Sequence, residues 1–147
     1  MHRFFDSSPI SPSGRFVAVF QLPFENRQPE PGEIGCVRLI DLQGGTNKIV
    51  AQTCGWEPQL GANINWGATD HELFFNDVDT GTWQPFAWKL DPISGKKERM
   101  EATVYHASSD GKWLISSNLS LLRKTQKWLW CGCAHKSNAT QYMAGKG

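Results

Sequence analysis

Residues 107–115, ASSDGKWLI, form a short polar turn pattern that leads directly into an apolar strand pattern. Two earlier stretches repeat it: SPSGRFVAV at 11–19 and ATDHELFF at 68–75. The turn position is held by Gly14, Asp70 and Gly111 in the three copies. Glycine adopts positive φ freely and Asp tolerates it better than most residues, so we expect positive φ at all three positions. The three copies predict a chain of repeated strands.

A second turn pattern also repeats. DLQGGT at 41–46 matches DPISGK at 91–96, and each has Gly where a hairpin turn needs a left-handed residue. The first pattern recurs after 56 and then 41 residues, and the second recurs after 50. A unit of four short antiparallel strands that repeats about every 40 residues is typical of a β-propeller blade.

The predicted fold class is therefore all-β, a β-propeller fragment of about two and a half four-stranded antiparallel blades with negligible helix. Blade one covers about 4–52, blade two about 62–101, and blade three begins over about 103–119. Strands are expected at 4–10, 16–22, 36–40, 48–51, 63–66, 73–76, 86–90, 98–100, 104–106 and 112–117. Because a ring takes about four to eight blades, this stretch is not expected to close one, and open sheet edges favour self-association.

Composition narrows the function classes. The chain has 15 Lys and Arg against 14 Asp and Glu, which argues against a dedicated partner among nucleic acids or membrane surfaces. Seven Trp, eight Phe, 14 Gly and 8 Pro suit aromatic strands joined by frequent turns. The sequence has no apolar run near 18 residues, and its start lacks the apolar segment of a signal peptide. These features, with four irregularly spaced Cys, predict a cytoplasmic protein with reduced thiols.

The turn patterns also carry a family resemblance. SPSG followed by an apolar strand, and then VRLIDLQGG at 37–45, resembles the TolB-like propeller repeat, a relative of the WD repeat, from residue 4 to about 119. HRFFDSSP at 2–9 is similar to the start of propeller proteins related to oligogalacturonate lyase, which acts on pectin fragments. The resemblance implies a metal held by histidines and a glutamine in later blades. No such cluster is present here, so no catalytic residue, metal or cofactor is assigned.

Candidate binding residues fall on one predicted face. In an up-and-down blade, the loop between the second and third strands lies on the same side as the loop that joins two blades, and both kinds are long here. Residues assigned to a ligand site on this face are Arg3, Asp6, Arg27, Trp56, Gln59, Asp77, Asp79, Trp83, Tyr105 and His106. Aromatic rings beside carboxylates and Arg suit a sugar or an acidic oligosaccharide. For any single residue the alternative is structural, with Trp covering loop edges and Asp shaping turns.

Two functions remain open at this point. One is a fragment of a propeller enzyme that acts on carbohydrate, such as a lyase. The other is a non-catalytic propeller that binds a protein or a glycan on the same face. Dependence of activity on a metal would favour the first.

The period ends near residue 120, and 120–147 is predicted to be an irregular tail. Cys131, Cys133 and His135 are spaced like half a zinc site, but no second pair accompanies them, so no site is assigned. If Leu129 uses a CTN codon, the frame displaced by one nucleotide at Trp128 encodes Gly, then an aromatic or small residue, Gly, and then Val or Ala. That is the turn and strand a blade needs here. We hypothesise that 127–147 is out of frame and without function, which a stop codon in the displaced frame would exclude.

Overall fold

The computed structural model describes residues 7–116. All regular structure in this range is β, with nine strands in three antiparallel sheets and no helix. The strands are β1 (Phe16–Gln21), β2 (Gly35–Asp41), β3 (Thr46–Thr53), β4 (Asn65–Trp66), β5 (Leu73–Val78), β6 (Pro85–Leu90), β7 (Lys97–Met100), β8 (His106–Ala107) and β9 (Leu114–Ile115). The predicted all-β class is confirmed. In the described part of the chain no helix is long and apolar enough to cross a membrane.

Several predictions fall outside the described range. These are the ligand residues Arg3 and Asp6, the first three residues of the strand expected at 4–10, and the whole tail from 120 onward, including the out-of-frame hypothesis.

The sheets follow the predicted order, but among the described residues the first sheet has three strands where four were expected. Sheet one is β1-β2-β3, sheet two is β4-β5-β6-β7, and sheet three is β8-β9. In place of a fourth strand in sheet one, a single antiparallel bridge joins Ile10 to Val17. Pro9 accepts a hydrogen bond from Ala18 N–H at 2.9 Å, but it has no N–H of its own to extend the ladder. We call residues 7–53, 62–101 and 103–116 units one, two and three.

The first and third copies of the repeated turn are built alike. Ser11 N–H donates to Phe16 O at 2.8 Å, and Phe16 N–H donates to the Ser11 hydroxyl at 3.1 Å. Ser108 and Trp113 make the same two bonds at 2.9 and 3.0 Å. In both copies the glycine has positive φ, as expected: 79° at Gly14 and 69° at Gly111.

The second copy differs, and the expectation of positive φ at Asp70 is wrong. In the described range the non-glycine residues with positive φ are Asn63 and Trp83. Gly67 stands where the other copies have serine, so the hydroxyl that accepts from the chain five residues later in those copies is absent at this position. Glu72 closes it instead: its N–H donates to Thr69 O at 3.1 Å, and its carboxylate accepts from Ala68 N–H at 3.1 Å.

The two hairpins match position for position, as predicted. Asp41 accepts from the backbone N–H groups two and three residues after it, both at 3.0 Å, and Asp91 does the same at 2.9 and 3.2 Å. The left-handed glycines are Gly45 (φ 64°) and Gly95 (φ 80°).

Each hairpin aspartate also binds a basic residue in the repeated turn of its own unit. The Arg15 guanidinium lies 2.7 Å from Asp41, and His71 Nδ1 lies 3.1 Å from Asp91. The two repeated turn patterns of a unit are therefore in direct contact.

The main core lies between sheets one and two. Phe16, Ala18 and Phe20 on β1 pack with Leu73 and Phe75 on β5 in one buried cluster. The run at 16–22 is apolar except for Gln21, a pattern typical of a strand covered on both faces, and for this strand that interpretation is wrong in part. Val17 and Val19 are only half-buried, because one face of sheet one packs against sheet two.

Candidate functional site

Short turns and long loops lie at opposite ends of the sheets. At the turn end, Asp70 accepts from the Ser13 N–H at 3.1 Å, and Gly111 packs against Ala68. Segments 22–34, 54–62, 79–84 and 101–105 lie at the other end, which we call the loop end. There Trp56 Nε1 donates to Glu33 O at 2.6 Å. The separation of turns from loops that the sequence predicted is therefore present in the contacts.

Trp56 is a core residue of the loop end. Its side chain is 2% exposed, and its ring lies 5.5 Å from Phe20 and 6.3 Å from Phe24, measured between ring centroids. With its Nε1 bound to Glu33 O, the indole fastens loop 22–34 onto the core. In this arrangement Trp56 offers no free ring face to a sugar, so its place fits the structural alternative.

Arg27 is half-exposed and already paired. Its guanidinium lies 3.6 Å from the centroid of the Phe24 ring and forms a bidentate ion pair with the Glu33 carboxylate. This pairing raises the pKa of Arg27 and lowers the pKa of Glu33. A negatively charged ligand at Arg27 would have to replace Glu33 or share the guanidinium with it.

Asp77 holds the loop end together from inside. Its Oδ1 accepts from the Thr53 hydroxyl at 2.7 Å and from Cys54 N–H at 3.0 Å, and its Oδ2 accepts from Trp88 Nε1 at 2.9 Å. Burial, together with the Asp77 charge, raises the pKa of the Cys54 thiol. Both oxygens of this carboxylate are therefore committed to partners within the protein.

Asp79 and Trp83 form the tip of the β5–β6 loop. Asp79 accepts from the N–H groups of Gly81 and Thr82 at 3.0 and 2.9 Å, and the bonds to Thr82 hold the pKa of Asp79 below its usual range. Trp83 N–H donates to Asp79 O at 2.6 Å and has φ of 58°. The half-buried Trp83 ring lies against Gly32, so this loop touches loop 22–34.

The remaining predicted residues lie nearer β4 and β8. Gln59 is exposed, and its N–H donates to the Glu57 carboxylate at 2.9 Å. Tyr105 is 41% exposed, and its carbonyl accepts from Asn63 and Asn65 at 3.1 and 3.3 Å. His106 is half-buried in β8, opposite Ile115 of β9.

Contacts therefore sort the predicted site residues into separate groups. Arg27 and Trp83 are linked through loop 22–34. Tyr105 and His106 belong to the junction of units two and three, and the described contacts do not join them to Arg27. The sequence also failed to single out the buried amides that build this junction, which are those of Asn63, Asn65 and Asn76. Their one signal was amide side chains within otherwise apolar strand patterns.

No metal centre is formed by the residues that the structure describes, since no three His, Cys, Asp or Glu side chains come together there. Compared with protein-family models, curated proteins and solved structures, the chain matches none of them. Its function must therefore be argued from its own geometry.

Proposed function

We propose that this chain is part of a β-propeller whose loop end binds an acidic carbohydrate. The propeller assignment is supported by three successive antiparallel sheets whose repeated turns share one end. It is supported further by the matching hydrogen bonds of the first and third turns. Successive antiparallel sheets that pack face to face are the arrangement of propeller blades.

Trp83 is the observation that carries the binding proposal. A bulky residue at φ of 58° is strained by about 1–3 kcal/mol, and such strain is concentrated at functional sites. Asp79 and Gly32 hold the residue in place, and its ring is only half-buried. A flat aromatic surface of this kind can take the C–H face of a sugar ring.

Arg27 supplies the preference for an acidic sugar. Its planar guanidinium is fixed on the Phe24 ring, and its fork geometry matches a carboxylate. Glu33 occupies that fork in the free protein. A uronate carboxylate would take over part of this pairing, so removing the Glu33 charge should strengthen binding of an acidic sugar.

The test is a calorimetric titration with trigalacturonate and with neutral galactotriose. We expect Trp83→Ala to abolish binding of both sugars, and Glu33→Gln to improve binding of trigalacturonate alone. Trp113→Ala is the matched control, because Trp113 is 73% exposed in unit three beyond the turn at Gly111. Unchanged binding by Trp83→Ala would sink the proposal.

A more specific form of this proposal is that the protein also cleaves the bound carbohydrate as a lyase. Elimination from polygalacturonate produces unsaturated uronates that absorb in the ultraviolet, and their release with and without added divalent metal tests it directly.

A protein partner at the loop end is the second candidate. Ile34 is 52% exposed in loop 22–34, and Tyr105 is 41% exposed between β7 and β8. Exposed apolar side chains at a loop surface favour a protein contact over a sugar. If Ile34→Ser reduces binding to a partner while trigalacturonate fails to bind, this candidate replaces the first.

A further inference from the structure

A surface cavity of about 180 Å³ lies between sheets one and two at the turn end, away from the loop end. Phe16 and Leu39 from sheet one form its apolar floor, and Ile93 from the second hairpin forms a wall. Phe16 and Leu39 are 6% and 2% exposed, whereas Ile93 is 49% exposed. The cavity has room for several water-sized groups, which suits one small side chain.

Three residues that line this cavity have a hydrogen-bond donor with no partner among the described residues. Arg15 uses Nε and Nη2 for Asp41, at 3.1 and 2.7 Å, which leaves Nη1 uncommitted among the described residues. Thr46 and Lys48 also line the cavity, and the described contacts give neither the Thr46 hydroxyl nor Lys48 Nζ a side-chain partner. Asp41 is compensated by Arg15, so Lys48 leaves a net positive charge at the rim.

The equivalent place in unit two is built differently. Counting by the repeat offsets of 56 and 50 residues, Glu72 stands for Phe16 and Lys89 stands for Leu39. Their side chains form an ion pair of 2.6 Å, so charges replace the apolar floor. The hairpin pair is retained, with His71–Asp91 in place of Arg15–Asp41. Unit one therefore differs from unit two at this place, because it has an apolar floor beside donors that have no described partner.

The geometry points to a binding site for an aliphatic carboxylate. The carboxylate accepts from Lys48, Arg15 Nη1 and the Thr46 hydroxyl, and the aliphatic group packs on the floor and wall of the cavity. Arg15 also lies 4.8 Å from the Phe16 ring centroid, which holds its guanidinium at the edge of the apolar floor. The C-terminal residue of a peptide and a free branched-chain acid both have this chemistry.

Three probes are used: acetyl-Gly-Leu with a free carboxylate, the same peptide as its C-terminal amide, and isovalerate. The amide tests whether the negative charge of the ligand is needed, and isovalerate tests whether a free acid binds as well as a peptide C-terminus. Binding is followed by amide shifts in two-dimensional NMR. We expect saturable shifts at Phe16, Thr46, Lys48 and Ile93 with the free carboxylate, and about fivefold weaker binding of the amide. Tighter binding of the peptide or of isovalerate identifies the source of the carboxylate, and either result supports the site.

Variants then test the two halves of the site. Lys48→Gln removes the free charge and Ile93→Ser removes the wall, and each should weaken binding by about threefold. Both positions are exposed, so folding should be kept, and a thermal melt checks this. Lys96→Gln, at the position of unit two that matches Thr46, is the control and should bind as the parent does. Equal binding of the amide, an unchanged Lys48→Gln variant, or shifts confined to other residues would overturn the inference.

Discussion

Asn76 uses its side-chain amide much as a strand uses its backbone. Its Nδ2 donates to Val104 O at 3.0 Å, and its Oδ1 accepts from Val104 N–H at 2.8 Å. Asn63 donates to the same carbonyl. Each of these buried groups would cost about 1–3 kcal/mol if left without a partner, so the amides fix where unit three meets unit two. The alternating pattern at 63–66 predicted the strand, but it did not reveal that its polar side is covered.

Local sequence also does not show whether a predicted site residue faces solvent or the core. Composition and loop position selected Arg27 and Trp83, which lie in two loops that touch at Gly32, and Tyr105, which lies at the junction of units two and three. They did not show that Trp56 turns inward or that Asp77 is bound by an indole and by backbone donors. A Trp or Asp in a loop has the same local sequence whether its side chain faces water or the core. Only the partners brought by distant segments decide between the two.

Glu57 makes stability depend on pH in an identifiable way. Its side chain is 1% exposed, and burial raises its pKa although it accepts from Gln59 and Leu60 N–H groups. The native state therefore binds this proton more tightly than the unfolded chain does. The resulting contribution to stability is full below the unfolded pKa and is lost as pH rises through the higher native pKa.

Glu57→Gln should remove this dependence. Urea unfolding at pH 4.5 and pH 7 gives the change in unfolding free energy with pH for parent and variant. We expect the variant to gain relative to the parent on going to pH 7. Other carboxylates with lowered pKa act in the opposite direction, but they cancel in the comparison of the two proteins. Glu25→Gln, at an exposed position, is the control, and a variant with the parent's pH dependence would contradict the assignment.

The positions of the strands were predicted mainly from the turns between them. β1, β2, β3, β5, β6 and β7 all lie where the sequence predicted strands, because glycine turns and apolar runs mark their limits. β4, β8 and β9 are only two residues long, shorter than predicted. A strand extends only as far as the partner strand that pairs with it, and the local sequence does not show where that partner strand ends. Within the described residues the fourth strand of sheet one is reduced to the bridge between Ile10 and Val17, and Pro9 has no N–H to extend the pairing.

Gly45 and Gly55 lie at opposite ends of β3 and should tolerate substitution differently. A Cβ on Gly55 would lie 2.3 Å from Asp77 Cα, so Gly55→Ala must push the linker between units one and two away from β5. We expect a loss of about 3 kcal/mol or more. A Cβ on Gly45 meets nothing within 4 Å, so Gly45→Ala carries only the strain of φ 64°, about 1–2 kcal/mol. Equal losses in chemical denaturation would contradict the close approach.

For the molecule as a whole, the three units differ in how well they are covered. Sheets one and two share the main core, whereas unit three shares a smaller cluster with Phe74 and Ala87. In unit three, Trp113 is 73% exposed and Ile115 is 59% exposed. At the positions of units one and two that match Ile115, Ala18 and Phe74 are 0% and 3% exposed. Among the described strands β9 pairs with β8 alone, so within residues 7–116 its other edge has no strand partner.

We expect the chain to associate with itself through this edge, because an apolar edge strand can pair with another copy. Analytical ultracentrifugation over a range of concentrations should show species larger than the monomer. Trp113→Lys combined with Ile115→Lys should shift the distribution toward monomer, since charges on an edge oppose pairing. Leu42→Lys makes the same chemical change at a hairpin residue that is 57% exposed, and it should leave association as it was. A parent protein that stays monomeric and melts cooperatively would show that the edge is covered within one chain.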